Sequence, residues 1–140
     1  MKMNMIIEDE IIKPVRAHET DAGLDLKSND DIVIPARGSA VIPTGVKFEI
    51  PDGYYGKLES KSGLNFKFDI VCLGGVIDSS YRGEVMVKLY NMGNTDMMLK
   101  RGDKCVQIVF MKHYNPELEE VISFDTHTMR GENGFGSTGK

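Results

Sequence analysis

Residues 39–51 read "SAVIPTGVKFEIP". In its second half Val46, Phe48 and Ile50 alternate with Lys47 and Glu49. That period of two is the mark of a strand with one face buried. Pro43 and Pro51 close the two apolar runs, because a proline cannot donate to a strand ladder and sits at strand ends or edges. The same alternation returns in "VMVKLY", residues 85–90. Outward from these two stretches lie further short runs rich in β-branched and aromatic residues: "DIVIPA" (31–36), "GYYGKLES" (53–60), "FDIVCLGGVID" (68–78) and "MMLKRGDKCVQIVFM" (97–111). Fifteen glycines and five prolines punctuate the chain, too often for long helices. One short helix is predicted after Ser62, over "SGLNFKF". The expected fold is all-β, a jelly-roll-like β-sandwich or barrel of many short strands with one short helix.

The chain has 140 residues, one domain's worth, with no internal repeat or linker. A chain of this size buries about two-thirds of its unfolded surface, enough for a core without staples. The net charge of −4 argues against duplex nucleic acid as the main partner, which needs a surplus of Lys and Arg. A small phosphorylated ligand needs only a local cluster and stays open. Cys72 and Cys105 sit in apolar surroundings and read as buried free thiols of a reducing cytosol. No Cys/His spacing suggests zinc. The N-terminal "MKMNMIIEDEIIKP" lacks a sustained apolar run and no segment is long enough to span a membrane, so a cytoplasmic protein without a signal peptide is expected. The nine methionines read as core filler. His18, His113 and His127 read as surface or structural residues.

The last eleven residues, "RGENGFGSTGK" (130–140), form their own compositional zone. We expect a core over 1–129 and a flexible tail over 130–140. The tail combines an Arg, an aromatic ring, two hydroxyls and glycines that let N–H groups turn toward an anion. Those are parts of a phosphate clamp, and equally the composition of an ordinary mobile terminus. "GKLESKSGL" (56–64) sets Lys57, Lys61 and Ser62 at a turn before the helix. It reads as an anion site or as a polar turn with Ser62 capping the helix. Asp25, between Leu24 and Leu26, either holds a turn or faces a metal-bound phosphate through water. Arg101, Gly102 and Asp103 read as a tight turn between strands. Gln107 is a satisfied core amide or a ligand contact. In "GGVIDSSYRGE" (74–84), Asp78 directly follows the apolar pair Val76–Ile77. It is a turn acid or a base held beside a substrate.

In order and spacing, "AGLDL", "SKSGL", "GGVIDSSYRGE", "RGDKCVQIV" and "RGENGFGSTG" resemble the five motifs of the homotrimeric deoxyuridine triphosphate nucleotidohydrolases (dUTPases). The likeness covers residues 14–139. It implies a β-rich jelly roll assembled as a homotrimer with active sites at subunit interfaces. It implies hydrolysis of dUTP to dUMP and pyrophosphate with Mg2+, which keeps uracil out of DNA and supplies dUMP for thymidylate synthesis. By that resemblance Asp78 matches the base that activates water. The third motif is expected to form a β-hairpin, with backbone near Gly75, Val76, Ile77 and Met86 around the uracil and Tyr81 under the deoxyribose. Lys61, Ser62, Gly63 and Gln107 match the phosphate side, and Asp25 a contact to the metal's water shell. Arg130, Gly136, Ser137 and Thr138 match a γ-phosphate clamp, and Phe135 a lid over uracil. The chain departs from the pattern with Lys61 for a usual Arg, Ser80 for a common acid and Asn133 for a common glycine. Two other readings are a dCTP deaminase-related enzyme and a nucleotide-binding regulatory module. The first needs a carboxylate where Lys88 stands. Loss of Asp78 or of the tail would mark the second, and both are intact.

Overall fold

The computed structural model describes residues 1–125 and 127–139; Thr126, in the expected core, and Lys140, in the expected tail, lie outside them. Eleven strands and one α-helix follow the punctuation read from the sequence. The strands are β1 (Asn4–Ile7), β2 (Leu24–Lys27), β3 (Ile32–Ile34), β4 (Ser39–Pro43), β5 (Val46–Glu49), β6 (Tyr54–Glu59), β7 (Ile70–Leu73), β8 (Val76–Ile77), β9 (Met86–Asn91), β10 (Met97–Leu99) and β11 (Lys104–Lys112). The helix, α1, spans Ser62–Phe68 between β6 and β7. All pairings are antiparallel. They form four small sheets, ordered β1-β5, β3-β10, β2-β11-β6-β8 and β4-β9-β7. The fold is therefore the expected all-β sandwich of short strands.

The opening stretch shows why. Val46, Phe48 and Ile50 are buried while Lys47 and Glu49 are exposed. On β9, Val87 and Leu89 point inward and Met86 and Lys88 outward. Inward residues from every layer meet in one core that includes Leu26, Ile34, Ile42, Leu58, Ile70, Val106 and Ile108. Each such side chain contributes about 1.5–3 kcal/mol by leaving water. Among the described residues no helix is long and apolar enough to cross a membrane.

Several local expectations are corrected. The helix begins where expected, but Lys61 is the cap residue and makes no side-chain capping bond. Ser62 is the first helical residue and is exposed, so it does not cap. The helix ends at Asp69, which adopts a left-handed conformation with φ 57° and donates its N–H to the carbonyls of Leu64 and Asn65. The methionines are not core filler: seven of them (Met1, Met5, Met86, Met92, Met98, Met111 and Met129) are exposed. Met5, Met86, Met98 and Met111 lie on the outer faces of strands, and Met1, Met92 and Met129 lie outside the strands. Cys105 is buried and Cys72 half-buried, both as free thiols. Arg101–Asp103 does form the turn joining β10 to β11. Asp103 closes it by accepting from Lys100 N–H at 2.9 Å. The last strand ends at Lys112, and residues 113–125 leave the core as an exposed extended segment.

Candidate active site

β8 and the loop behind it build a cleft. Asp78 follows Ile77 at the strand end and is exposed. The loop turns at once, with Tyr81 N–H donating to Asp78 C=O at 3.1 Å. That turn brings the Tyr81 ring round to the Asp78 side. Its hydroxyl donates to Glu84 C=O at 2.7 Å. The ring packs against Gly83, where a Cβ would lie 2.5 Å from the Tyr81 hydroxyl, so only glycine lets the phenol settle there. Val76, Ile77, Asp78, Tyr81, Glu84 and Met86 line a cleft of about 200 Å3.

Main-chain groups at the cleft's margin are left open. β9 pairs with β7 only as far as Lys88 opposite Leu73, so Met86 lies beyond that neighbour. On its other side Met86 faces Pro43. Asn91 N–H donates to Gly38 C=O, so by alternation Pro43–Met86 is a non-hydrogen-bonded pair, and the Met86 main chain points to the side that β7 has left. Gly75, at φ 132°, accepts from Leu58 N–H at 2.8 Å, and a Cβ there would come to 3.0 Å from Leu58 C=O. The position thus demands glycine for both conformation and space. The third-motif hairpin is corrected. β7 and β8 belong to different sheets, and β8 pairs with β6 while β9 pairs with β4 and β7. The segment from 74 to 91 folds back around the cleft, but its two arms pair with different sheets and not with each other.

A second group gathers where β2, β11 and β6 run side by side. Gln107 stands between Asp25 on one flank and Glu59 on the other. Its side-chain amide donates to Ser60 C=O at 3.0 Å, which satisfies its NH2 group. Asp25 is buried and its carboxylate is gripped twice. Lys61 Nζ lies 2.5 Å from Oδ1 and Lys104 Nζ 3.1 Å from Oδ2. Ser62 and Gly63 are exposed at the helix start, with no hydrogen bond to the Ser62 hydroxyl among the described residues. Lys57 is not part of this group: it points along β6 to Glu59 at 2.6 Å. Asp25 and Lys61, expected on the phosphate side, are thus found bonded to each other.

The two groups lie at opposite ends of β6. The register Gly56–Ile77 and Lys57–Val76 puts Asp78 level with Tyr55. Gln107 is level with Glu59, four strand residues on from Tyr55, so at ~3.3 Å per residue the two groups lie about 13 Å apart along β6, with Ser62 beyond the strand's end. The tail forms a third group. Arg130, Phe135, Gly136, Ser137 and Thr138 are all exposed. The Arg130 guanidinium folds back on the tail's own carbonyls, with Nε donating to Asn133 at 2.8 Å. None of these residues lines the Asp78 cleft.

The described residues contain no cluster of three or more His, Cys, Asp or Glu side chains, so the chain offers no metal cage of its own. Mg2+ held chiefly by phosphates keeps several waters and needs only one or two carboxylates. Asp25 fits such an ion as an outer contact. Its two oxygens provide about four acceptor directions, and the lysines take two of them. Two residues at these sites went unread in the sequence, Glu84 and Lys104. Both stood inside quoted motifs, but nothing in a one-dimensional pattern reveals that Glu84 reaches Gly45 or that Lys104 reaches Asp25.

Fold and cleft together define a class. This is an all-β protein with a small-ligand cleft that offers a carboxylate, a phenol and unpaired main-chain groups. Comparison with known proteins narrows it. The family model described as dUTPase matches residues 9–139, and the chain belongs to that family. It is 41% identical over 126 residues to the deoxyuridine 5'-triphosphate nucleotidohydrolase of Paramecium bursaria Chlorella virus 1, covering 90% of this chain and 89% of that one. Identity to the Oryza sativa subsp. japonica protein of the same name is 42% over 139 residues, covering 99% and 80%. The fold superposes on Staphylococcus bacteriophage 80alpha dUTPase with dUPNHPP at a TM-score of 0.88, with 30% identity and 99% of both chains covered. A mutant dUTPase from phage phi11 of S. aureus, described as coordinating a structural Mg(II) ion, aligns at a TM-score of 0.81, with 28% identity, 89% of this chain and 99% of that chain covered.

Proposed function

We propose that this protein hydrolyses dUTP to dUMP and pyrophosphate, with Asp78 as the base. The observation that carries the reading is the exposed Asp78 carboxylate, fixed at the end of β8 beside Tyr81 and the open backbone of Met86. A carboxylate so placed can orient a water in line with the scissile bond and accept its proton, worth typically ~10²–10⁴-fold. The main chain at Gly75 and Met86, with Val76 and Ile77, reads the uracil edge, and Tyr81 underlies the deoxyribose. A ribose 2′-oxygen meets that ring, and the amine of cytosine meets a donor where uracil presents a carbonyl. Lys61, Ser62, Gly63 and Gln107 serve the phosphates. Arg130, Gly136, Ser137 and Thr138 close over the γ-phosphate, and Phe135 covers the base and excludes water. This reading keeps residues 1–129 as the core and 130–140 as the clamp. Asp25 would meet phosphate-bound Mg2+ through water, and the ion would supply charge neutralisation of the phosphates. Meanwhile Lys104 keeps Asp25 neutralised when Lys61 turns to a phosphate.

The spacing along β6, about 13 Å between its Asp78 end and its Gln107 end, supports a homotrimer with sites at subunit interfaces. Base and phosphate-side residues must touch the same phosphate chain, and a single copy holds them too far apart. The exposed Tyr114, Leu118, Ile122 and Phe124 on the segment after β11 support the same view, since apolar side chains on an arm need a second surface. We place the protein in the cytoplasm, where Cys72 and Cys105 stay reduced. Lys88 is an exposed lysine on β9 and supplies no carboxylate for a deaminase. The test is pyrophosphate release from dUTP, dCTP, dTTP and UTP, each with Mg2+ and with EDTA. Release from dUTP alone, lost on chelation, is expected. No release from any of the four by folded protein would overturn the proposal.

A further inference from the structure

We infer that Glu84 is a positioning residue that sets the Tyr81 ring against the sugar. The inference rests on the dUTP reading above. Three anchors tie the end of the loop to the turn between β4 and β5. Thr44 Oγ1 donates to Val85 C=O at 2.7 Å, and Val85 N–H donates to Val46 C=O at 2.8 Å. Glu84 Oε1 accepts from Gly45 N–H at 2.7 Å. The first two hold the main chain at Val85, and the Val85 N–H shares one peptide plane with the Glu84 carbonyl. Only the third acts through a side chain at residue 84. The Tyr81 hydroxyl bonds to the carbonyl of that same residue. A relay therefore runs from Gly45 through the Glu84 carboxylate and carbonyl to the phenol. Its far end is itself held, because Gly45 C=O accepts from Glu8 N–H at 3.1 Å.

The relay is built to be stiff. A half-buried carboxylate accepting from a main-chain N–H is a charge-assisted bond, roughly twice as strong as a neutral one. It reaches a turn that is fully buried at Thr44 and Val46. By contrast, the intervening Arg82 is exposed and bonds only to carbonyls of its own loop, Ser79 and Tyr81. Without the Glu84 carboxylate, the span from Ser79 to Glu84 has no side-chain tie to the core among the described residues. Tyr81 would keep its ring, and its depth would rest on the Val85 main-chain bond alone. A 2′-oxygen is excluded only by a ring that cannot retreat. Glu84 thus acts on sugar selection through the Tyr81 ring.

The test compares E84A, E84Q and Y81F with the parent, reading kcat and KM separately for dUTP and UTP, plus Tm. E84A should lower the ratio of kcat/KM for dUTP over UTP by about tenfold, the scale of one misplaced steric contact. E84Q keeps an acceptor oxygen for Gly45 N–H and should recover most of that ratio. Y81F cuts the relay at its other end and should lower the ratio as well, which keeps the test open if E84A does not fold. Equal losses for both nucleotides, or an unchanged ratio in folded E84A or in Y81F, would overturn the inference. A parent protein that hydrolysed dUTP and UTP alike would instead overturn the reading of the site, and this inference with it.

Discussion

Two crippled versions of this protein should repair each other. Asp78→Asn removes the base, and Ser62→Ala removes a phosphate-side hydroxyl. Both positions are exposed, so each change should alter stability by no more than about 0.5 kcal/mol. Alone, D78N should lose ~10²–10⁴ in kcat, and S62A on the order of 10²-fold. β6 holds the two groups about 13 Å apart within one chain. On the proposed trimer, each site draws its base from one copy and its phosphate contacts from another. In trimers assembled at random from equal amounts, half the bases are intact and, independently, half the phosphate sides. About a quarter of the sites are then whole in a closed ring of like interfaces. The mixture should recover about a quarter of the parental rate from two proteins that each have about a hundredth or less. The assay is pyrophosphate release by mixed trimers, carrying different tags on the two chains and isolated through both; each such trimer has one whole site, so about a third of the parental rate is expected after isolation. Mixed trimers no more active than the average of the two homotrimers would show that one chain supplies both sides, and the argument from strand register would be wrong. S62A with full activity would remove Ser62 from the phosphate side before any mixing.

Deleting residues 130–140 should leave the fold and Tm nearly intact, because those described are exposed and β11 ends well before them. The deletion should still reduce kcat by at least about 10²; full activity would refute the clamp and lid. Burial pushes the Cys105 thiol up to about 12. With a thiolate fraction of about 10⁻⁴ at pH 8, Cys105 should resist iodoacetamide until denaturant is added. Rapid labelling in native protein, followed by mass spectrometry of the peptide, would contradict its place in the core. Leu89→Ala, which empties a site 1% exposed, should cost about 2–5 kcal/mol in urea unfolding. A loss below about 1 kcal/mol would mean that the core closes around the gap.

The sequence carried the strands because half-buried strands write their burial as alternation. Val46 to Ile50 and Val85 to Leu89 could be read residue by residue. The helix after Ser62 was also legible, since its start follows a polar turn. The partners of charged side chains were not. Lys61 and Asp25 are separated by thirty-six residues, and whether a lysine meets a carboxylate or solvent depends on strand register, which no local pattern records. The third-motif hairpin failed for a related reason: proximity in sequence suggested pairing, but the apolar residues on either side of Asp78 belong to different layers. The methionines misled because hydrophobicity alone does not say on which face of a strand, or on which side of a turn, a residue stands.

β7 lets go of β9 at Leu73, and that early parting bears on what the cleft can read. Continued, the register would set Gly75 opposite Met86, but Gly75 turns its carbonyl to Leu58 instead. The Met86 main chain therefore faces a gap where a strand would have run. If Met86 main chain reads the base, selectivity is indifferent to which side chain position 86 carries, and sequence drift there would be silent. Drift at Gly75 would not, because a side chain cannot follow that backbone away from β9. The most constrained position around such a reader can therefore be the neighbour that must leave, not the residue that binds.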